Sequence, residues 1–526
     1  VEAPVAASGL SRLLGIFSLK RKHSAGSATL LLMFSSVGSS VLGLVRQKYI
    51  SHTFGVSHLT DAYNGAFYLP DMISYFLVGG VASITLVSML SRYREADDDA
   101  GGDEALSAVL MAMLVVLGTG VVLAEIFAGA YVRAVFNNFD AETAERCTRL
   151  TRIMLPAQLF FFAGGVLGSR LLVRKVFLFQ AMTPLIYNLG IILGGVFLTR
   201  ALGIESLAWG VFAGALIGSL AINAWGALRS GLRLTPKVNL RHPAFLEWLS
   251  LSLPLMVGVS LAMADKWISG HFAAADPGAI TLLNAAKILF NAPLGAIGLA
   301  AGAASLPFFS SLYAQRREYD FNAAVCRSVS RLMAISLLVS AWLIALAVPF
   351  TDLLQRGGKF SRASSQDVAF YLAIYSISFF LWSAQGIYAR AFYAARNTMT
   401  PAISGTVVTL VSIPIYGLLF HRMGVIGLVV ASDVGIFLHT AALAGLLHRA
   451  RLVSIATLDY AELGRALVAS LLALVMTQQL VTRIPSHNYM QDVLILVVGT
   501  LLWAGTSAAI LRLTGSQLLS QIRRKT

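Results

Sequence analysis

The chain predicts an all-α polytopic membrane protein with about 14 transmembrane helices, in two pseudo-symmetric six-helix lobes followed by two further C-terminal helices. Three observations carry this. Of 526 residues, 57% are hydrophobic and only 12% are charged, with a mean hydropathy of +0.74; a soluble chain carries about 25% charge. Apolar runs of about 18 or more residues recur from end to end, the length that crosses a hydrocarbon core of roughly 30 Å. The chain also repeats itself at an offset of about 218 positions. Tyr49-Ile50-Ser51 is answered by Trp267-Ile268-Ser269, and Asn64-Gly65-Ala66 by Asn284-Ala285-Ala286. Arg174 with Met182-Thr183-Pro184 is answered by Arg390 with Met399-Thr400-Pro401. Internal duplication in such a chain is the usual construction of a transporter, with the substrate held between the halves.

Only helices and closed barrels span a bilayer, and runs such as 332–349 and 493–502 lack the alternation of a barrel strand. Helices are therefore expected near 28–50, 62–91, 105–133, 147–172, 179–199 and 204–228 in the first repeat. The second repeat places them near 246–271, 278–312, 325–354, 366–394, 399–420 and 423–449, and two more follow at 462–482 and 491–512. The resulting organisation is a cytoplasmic lead-in at 1–27, an N-terminal lobe at 28–228 and a cytoplasmic linker at 229–245. A C-terminal lobe at 246–449, two extra helices within 450–515 and a basic cytoplasmic tail at 516–526 complete it. The lead-in carries Arg12, Lys20, Arg21 and Lys22 without a small-residue cleavage site, so it reads as a helix and not as a signal peptide.

An even number of crossings puts both termini on one side, and the loops agree on which. Arg92 and Arg94, Arg170, Arg174 and Lys175, the linker arginines, Arg316 and Arg317, Arg390 and Arg396, Arg449 and Arg451, and Arg523-Arg524-Lys525 all fall on the side expected to be cytoplasmic. The opposite connections at 136–145 and 273–279 hold no Lys or Arg. One outer loop breaks the pattern with Arg356, Lys359 and Arg362, either by snorkelling or as an anion-contacting gate on the exit side. The acidic run Glu95 to Glu104 reads as a solvated loop. The net charge of +15 is thus spread between apolar segments as topology markers, and no nucleic-acid partner is expected.

No enzyme signature is present. There is no phosphate-binding loop of the Gly-x4-Gly-Lys-Ser/Thr kind, and the nine histidines lack metal-ligand spacing. Cys147 and Cys326 lie far apart and read as small buried apolar residues. No catalytic residue, metal or cofactor is expected; energy would come from the membrane potential or from a monovalent cation.

Ionisable groups inside spanning segments are costly, which makes them candidates for function. Arg46 sits late in the first helix and either faces a hydrated cavity or marks the membrane edge. Asp61 opens the second helix, where it or Thr60 is alternatively a helix cap. Asp265-Lys266 lies inside the seventh helix, with mutual pairing as one way to offset the burial, and Lys287 lies inside the eighth. Breakers gather nearby: Gly79-Gly80 in the second helix and Pro293, Gly295 and Pro307 in the eighth. Either they permit close helix approach or they bend as access alternates, so Gly79, Gly80, Pro293, Gly295, Arg356 and Lys359 are the hinge or gate candidates.

Gly43-Leu44-Val45-Arg46, Phe54-Gly55, Thr60-Asp61-Ala62 and Leu69-Pro70-Asp71 resemble the first two helices of the MurJ/MviN lipid II flippases. Pro184 to Asn188, Leu306-Pro307, Gly358-Lys359-Phe360 and the block Arg390 to Ala394 with Asn397-Thr398-x-Thr400-Pro401 are similar to later motifs of that family. The resemblance runs in order through most of 28–515. It implies fourteen helices of the MOP flippase superfamily, a central cavity between the lobes, and a lipid-accommodating groove made by the last two helices. It also implies transfer of the undecaprenyl-diphosphate-linked peptidoglycan precursor across the bacterial inner membrane. The implied partners are that lipid-linked glycan, membrane lipids and the cell-wall synthesis machinery.

On this resemblance Arg46, Asp61, Lys266 and Lys287 are the substrate-binding candidates. Ser40 and Ser74 stand where family members usually carry arginine, Gly79-Gly80 replaces a usual Glu-Gly, and Lys287 stands near a usual arginine with a one-residue spacing mismatch to Pro293. Arg contacts a diphosphate bidentately and Lys does not, so a paralogue moving another polyprenyl-linked glycan is the alternative. A MATE-like exporter of the same superfamily is a further one, and a non-transporting scaffold for envelope assembly a third.

Overall fold

The computed structural model describes residues 25–78, 80–256, 261–484 and 488–518. The lead-in up to residue 24, Gly79 and the tail from 519, with Arg523-Arg524-Lys525, lie outside the described residues. Helices make up the fold, and among the described residues the one isolated β-bridge joins Gly357 to Phe360.

The first half runs α1 (Ala25–Phe54), α2 (His58–Ala66), α3 (Tyr68–Ile73), a π-helical turn (Ser74–Val78), α4 (Gly80–Glu95), α5 (Asp99–Val135), α6 (Ala141–Met154), α7 (Ala157–Val173), α8 (Leu178–Leu202), α9 (Glu205–Ala215), a second π-helical turn (Leu216–Ala221), α10 (Ile222–Arg229) and α11 (Pro243–Met256). The second half runs α12 (Leu261–Ala273), α13 (Ala279–Ala314), α14 (Glu318–Ala345), α15 (Ala347–Leu354), α16 (Arg362–Ile377), α17 (Phe379–Ala394), α18 (Met399–Met423), α19 (Val425–Arg449), α20 (Tyr460–Arg483) and α21 (Tyr489–Leu513).

Among the described residues, ten segments are long and apolar enough to cross a membrane, or eleven when α16 and α17, bent by 47°, count as one span. These are the expected third to sixth and eighth to fourteenth crossings, so the chain is a multi-pass membrane protein. The expected first, second and seventh do not pass that test. The second is broken at Phe67 and by the π-helical turn, and residues 257–260 of the seventh lie outside the described residues. Pro156 breaks the expected fourth helix into α6 and α7, because proline lacks the amide donor that helix continuity needs.

The duplication survives in backbone conformation. Left-handed residues end corresponding helices at Asp97 and Arg316, Lys175 and Arg396, Gly203 and Gly424, and Gly231 and Arg451, which lie 219, 221, 221 and 220 positions apart. A left-handed residue closing a helix satisfies its last carbonyls, so the two repeats stop their helices by the same device.

The chain divides into two compact units, Val1–Tyr49 with Ala62–Val257 and Ile50–Asp61 with Gly258–Thr526. In the first unit the core gathers Leu106, Val109, Met113 and Leu117 of α5 around Phe162, Val166 and Leu167 of α7. Trp248 of α11 joins that core, packing edge-on to Phe162 and stacked on Phe245. The first half of the expected seventh helix therefore packs with the first unit. The α8–α9 hairpin closes on glycine, since a Cβ on Gly194 would come within 2.7 Å of the Gly210 Cα.

The acidic run differs from its expectation as a solvated loop. Asp98 caps α5 by accepting from the Gly101 amide at 2.8 Å, and Asp103 is buried. Arg170 meets Asp103 bidentately, Nε to Oδ1 at 2.6 Å and one Nη to Oδ2 at 3.0 Å, and the Arg233 amide donates to Asp103 Oδ2 at 3.0 Å. The reason is geometric: α5 starts six residues earlier than expected and carries Asp103 into the packed interface with α7.

In the second unit the core runs through Phe309, Phe321, Val325, Val329, Ile387, Phe392 and Leu443. The two extra helices attach to α14: Ala466 and Ala469 of α20 and Leu511 of α21 pack on Ala334. The Trp503 indole donates to the Leu338 carbonyl and the Trp342 indole to Thr500 Oγ1, each at 2.9 Å. Leu467, Leu471, Leu472 and Val475 of α20 and Leu494, Val497 and Leu501 of α21 stay exposed, which in a bilayer is the surface presented to lipid.

Candidate functional site

Lys287 lies at the centre of the most elaborate polar cluster of the second unit. It projects from α13, and its Nζ is 3.1 Å from Asp265 Oδ2 on α12 and 3.0 Å from Ser432 Oγ on α19. Aromatic faces close around the ammonium: Tyr375 at 3.9 Å, Trp382 at 4.7 Å and Phe290 at 5.4 Å from Nζ to ring centroid. Each ring presents its negative quadrupole to the cation. The Tyr416 hydroxyl donates to Asp265 Oδ1, and next to Ser432 the Asp433 carboxylate accepts from Ser378 Oγ. Successive residues of a helix do not face one another, and Asp265 is met by Lys287 from the neighbouring helix. Lys266, half-buried one position along, is also engaged. Lys287, Asp265 and the breakers near the lysine were legible in the sequence. The aromatic box was not, because Phe290, Tyr375 and Trp382 come from three different helices.

Arg46 belongs to the first unit. Its guanidinium donates to Asn188 Oδ1 at 2.9 Å, and Asn188 Nδ2 donates in turn to Ser39 Oγ and the Pro184 carbonyl, each at 3.1 Å. Asn188 is thereby oriented with its oxygen toward the arginine, joining two motifs, Gly43 to Arg46 and Pro184 to Asn188, that are 142 residues apart. Among the described residues Arg46 pairs with no carboxylate, and its guanidinium is held by the Asn188 amide oxygen. Ser40 bonds back to the Ser36 carbonyl at 2.9 Å.

A pocket of about 280 Å³ opens in the same unit, lined by Asp71, Ser74, Gln158, Phe67, Phe161 and Tyr187 among others. Ser74, one of the positions where arginine was expected from the resemblance, sits in the π-helical turn beside this pocket. Gln158 is buried there and its Oε1 has no hydrogen-bond partner among the described residues. π-helical turns insert one residue into a helix and are frequent at functional sites, and this one lies directly before the expected Gly79-Gly80 hinge. Gly79 lies outside the described residues, and Gly80 starts α4.

Asp61 is buried and caps a helix, though not its own. Its Oδ1 accepts from the Thr281 amide at 2.9 Å and the Thr281 hydroxyl at 2.7 Å, and its Oδ2 accepts from the Gly278 amide. These are the orphan donors at the start of α13. Thr60, the other capping candidate, accepts from the Ser57 amide at 3.0 Å at the start of α2. Replacing Asp61 with Ala removes the acceptor of all three bonds, and a loss of about 2 kcal/mol or more is expected. Thermal unfolding of the purified chain measures it, and Asp61→Asn, which keeps one acceptor, should lose less.

Of the remaining candidates, Pro293 and Gly295 lie mid-way along the 36-residue α13, and a Cβ on Gly295 would meet nothing within 4 Å, so packing does not require glycine there. Arg356 pairs with Asp352 at 3.4 Å, and its carbonyl accepts from the Tyr489 hydroxyl at 2.6 Å. The Lys359 amide donates to the His52 carbonyl at 2.9 Å while its side chain is exposed. Gly55, left-handed at φ 69°, allows that approach, because a Cβ there would stand 2.6 Å from the Lys359 carbonyl oxygen. The outer loop is therefore tied to the end of α1, with Phe360 buried beneath it.

The family model described as lipid II flippase MurJ matches residues 50–498. The chain is 28% identical over 425 residues to the lipid II flippase MurJ of Burkholderia cenocepacia, covering 77% of this chain and 80% of that protein. It is 26% identical over 411 residues to a probable lipid II flippase MurJ of Thermotoga maritima, covering 77% and 82%. Among solved structures, a lipid II flippase MurJ in an inward closed conformation superposes with a TM-score of 0.77 at 22% identity over 92% of this chain and 99% of that one. An inward-facing multidrug MATE transporter of the MOP superfamily superposes at 0.61, with 15% identity over 79% and 94%. The MATE likeness marks a shared fold, whereas the sequence match distinguishes between the branches: the chain belongs to the lipid II flippase MurJ family.

Proposed function

We propose that this chain is a flippase, not an enzyme, that moves undecaprenyl-diphosphate-linked peptidoglycan precursor from the inner to the outer leaflet of the bacterial cytoplasmic membrane by alternating access. The observation that carries the reading is the family match across 50–498 on a duplicated multi-pass chain. Both termini face the cytoplasm on this reading, as the loop arginines suggest. The polyprenyl tail stays in lipid while the diphosphate meets cationic side chains of the lobes.

Arg46 is the readiest of these, since Asn188 orients it without cancelling its charge. Lys287 reaches a diphosphate by exchanging partners: Asp265 keeps the Tyr416 hydroxyl as the ammonium leaves. Lys266 is the third cation. Asp61 acts by setting the start of α13, the helix that carries Lys287. The breakers Gly79, Gly80, Pro293 and Gly295 absorb the bending, and Arg356 and Lys359 guide the anion at the exit. The membrane potential or a monovalent cation supplies the drive, because a charge crossing 100 mV is worth about 2.3 kcal/mol. The cell-wall synthesis machinery takes the product.

A second reading, transfer of another polyprenyl-linked glycan, is favoured by Ser40 and Ser74, which offer a diphosphate no charge. A MATE-like exporter of cations is disfavoured, because Asp265 is matched by Lys287 within its own unit. The test is a flipping assay in reconstituted vesicles comparing lipid II with other undecaprenyl-diphosphate glycans. Faster transfer of lipid II, reduced at least tenfold by Arg46→Ala, is the expected result, since a charge-assisted contact to phosphate is worth about 1.5–3 kcal/mol. Transfer of another glycan but not lipid II would select the second reading.

A further inference from the structure

A pocket of about 290 Å³ lies in the second unit where α14, the start of α20 and the segment after α21 meet, lined by Arg327, Ser330, Arg331, Asp459, Glu462, Gln517 and Leu518. Its charges are unequally satisfied. Glu462 is buried and fully engaged: Arg465 pairs with it at 3.2 Å, the Ser516 hydroxyl donates to Oε1 and the Gln517 amide to Oε2 at 3.5 Å. Asp459 is used as the cap of α20, accepting from the Glu462 amide at 2.9 Å. The two arginines have no such partners. Arg327 and Arg331 stand four residues apart on one face of α14, and among the described residues neither has an ion pair or hydrogen bond.

Like charges so placed repel one another, and burial of the half-exposed Arg331 adds to that cost. Ser330 lies between them, buried, and its oxygen accepts from the Asp459 amide at 3.0 Å while its own proton has no acceptor among the described residues. Two unpaired guanidinium groups and one free hydroxyl proton converging on a pocket are the donor set of a phosphate.

The depth of the pocket identifies the source of that phosphate. Tyr460, more than half exposed, stands at the first turn of α20, where aromatic residues mark a membrane–water boundary. Within two turns the exposed surface of α20 becomes apolar at Leu467, Val468, Leu471 and Leu472. The arginines thus stand at headgroup level beside a surface suited to acyl chains, an arrangement typical of basic pockets that hold anionic lipid headgroups.

We propose that Arg327, Arg331 and Ser330 form a binding site for the phosphodiester of an anionic phospholipid, which bridges α14 to the α20–α21 appendage. The site is separate from the diphosphate-binding cations, and its test does not depend on the transported substrate. Occupancy offsets one of the two arginine charges, relieves their repulsion and fastens the appendage to its lobe.

Native mass spectrometry of the purified full chain tests this with phosphatidylglycerol, phosphatidylcholine and inorganic phosphate as separate probes. Phosphatidylglycerol should be retained in preference to phosphatidylcholine, and inorganic phosphate at equal concentration should not displace it. Arg327→Gln with Arg331→Gln should weaken retention about fivefold for each arginine removed, since a cation at a membrane surface contributes about that factor. A charge-matched control in the first unit, Arg133→Gln with Arg200→Gln, should change it less than about twofold. Unfolding temperature without added lipid checks that the variants fold. Should the double variant fail to fold, the single exposed change Arg327→Gln gives the readout. Equal retention by the variant and the unchanged chain overturns the proposal, and so does displacement by inorganic phosphate, which would mark a free-anion site.

Discussion

Replacing Lys287 with Ala is expected to destabilise the chain by about 3–5 kcal/mol, because it strands Asp265 as an unpaired buried carboxylate. Asp265→Ala should cost a similar amount by leaving the ammonium with Ser432 and the aromatic rings alone. The double change Lys287→Met with Asp265→Leu removes both charges together, and such replacements are often neutral for stability. It separates structure from transport. If Lys287 serves only to hold its lobe together, the double variant folds and sustains growth of a flippase-depleted strain. If Lys287 also meets the substrate diphosphate, the double variant folds yet fails to complement. Unfolding temperature and complementation, measured on the same variants, give the two answers independently. Lys287→Arg adds a finer test. The planar guanidinium stacks well on aromatic rings but must reach Asp265 and Ser432 with a longer, forked head.

The second large effect is expected at the polar end of the first unit. Arg170 is almost fully buried and makes a bidentate pair with Asp103, and it also donates to the Ser230 carbonyl at 3.2 Å. Asp103 meanwhile accepts from the Arg233 amide. One ion pair therefore ties α5, α7 and the segment after α10 together. Arg170→Ala should cost about 3–5 kcal/mol, since it leaves a buried carboxylate with a single backbone donor. Arg170→Lys should recover only part of this, because an ammonium cannot reproduce the two parallel bonds. By contrast, Arg94→Ala should cost no more than about 1 kcal/mol, as its pair with Asp99 is exposed on both sides. Chemical denaturation in detergent distinguishes the three.

The membrane class, the helix order and the duplication were legible because each rests on composition or on spacing along the chain. Apolar length is local information, and so is the recurrence of Arg174 and Met182-Thr183-Pro184 as Arg390 and Met399-Thr400-Pro401. The left-handed helix ends at Lys175 and Arg396 extend the same recurrence into the backbone. Arg46, Asp61, Lys266 and Lys287 stood out for an equally local reason, since charge within an apolar segment is conspicuous.

What each charge does was decided only in three dimensions. Asp61 was expected to bind substrate or to cap the helix it begins; it caps α13, whose donors lie 217 and 220 residues further along. The acidic run before α5 looked like a solvated loop until Asp103 met Arg170, 67 residues away. Lys287 was read beside Pro293 and Gly295, but its carboxylate, its hydroxyl and two of its three aromatic walls come from other helices. The physical reason is common to all three. Transfer of an apolar segment into lipid is a sum over its own residues, so sequence alone determines it. Pairing of a buried charge depends on which atoms stand within about 3–4 Å of it, and only the packing of distant helices settles that.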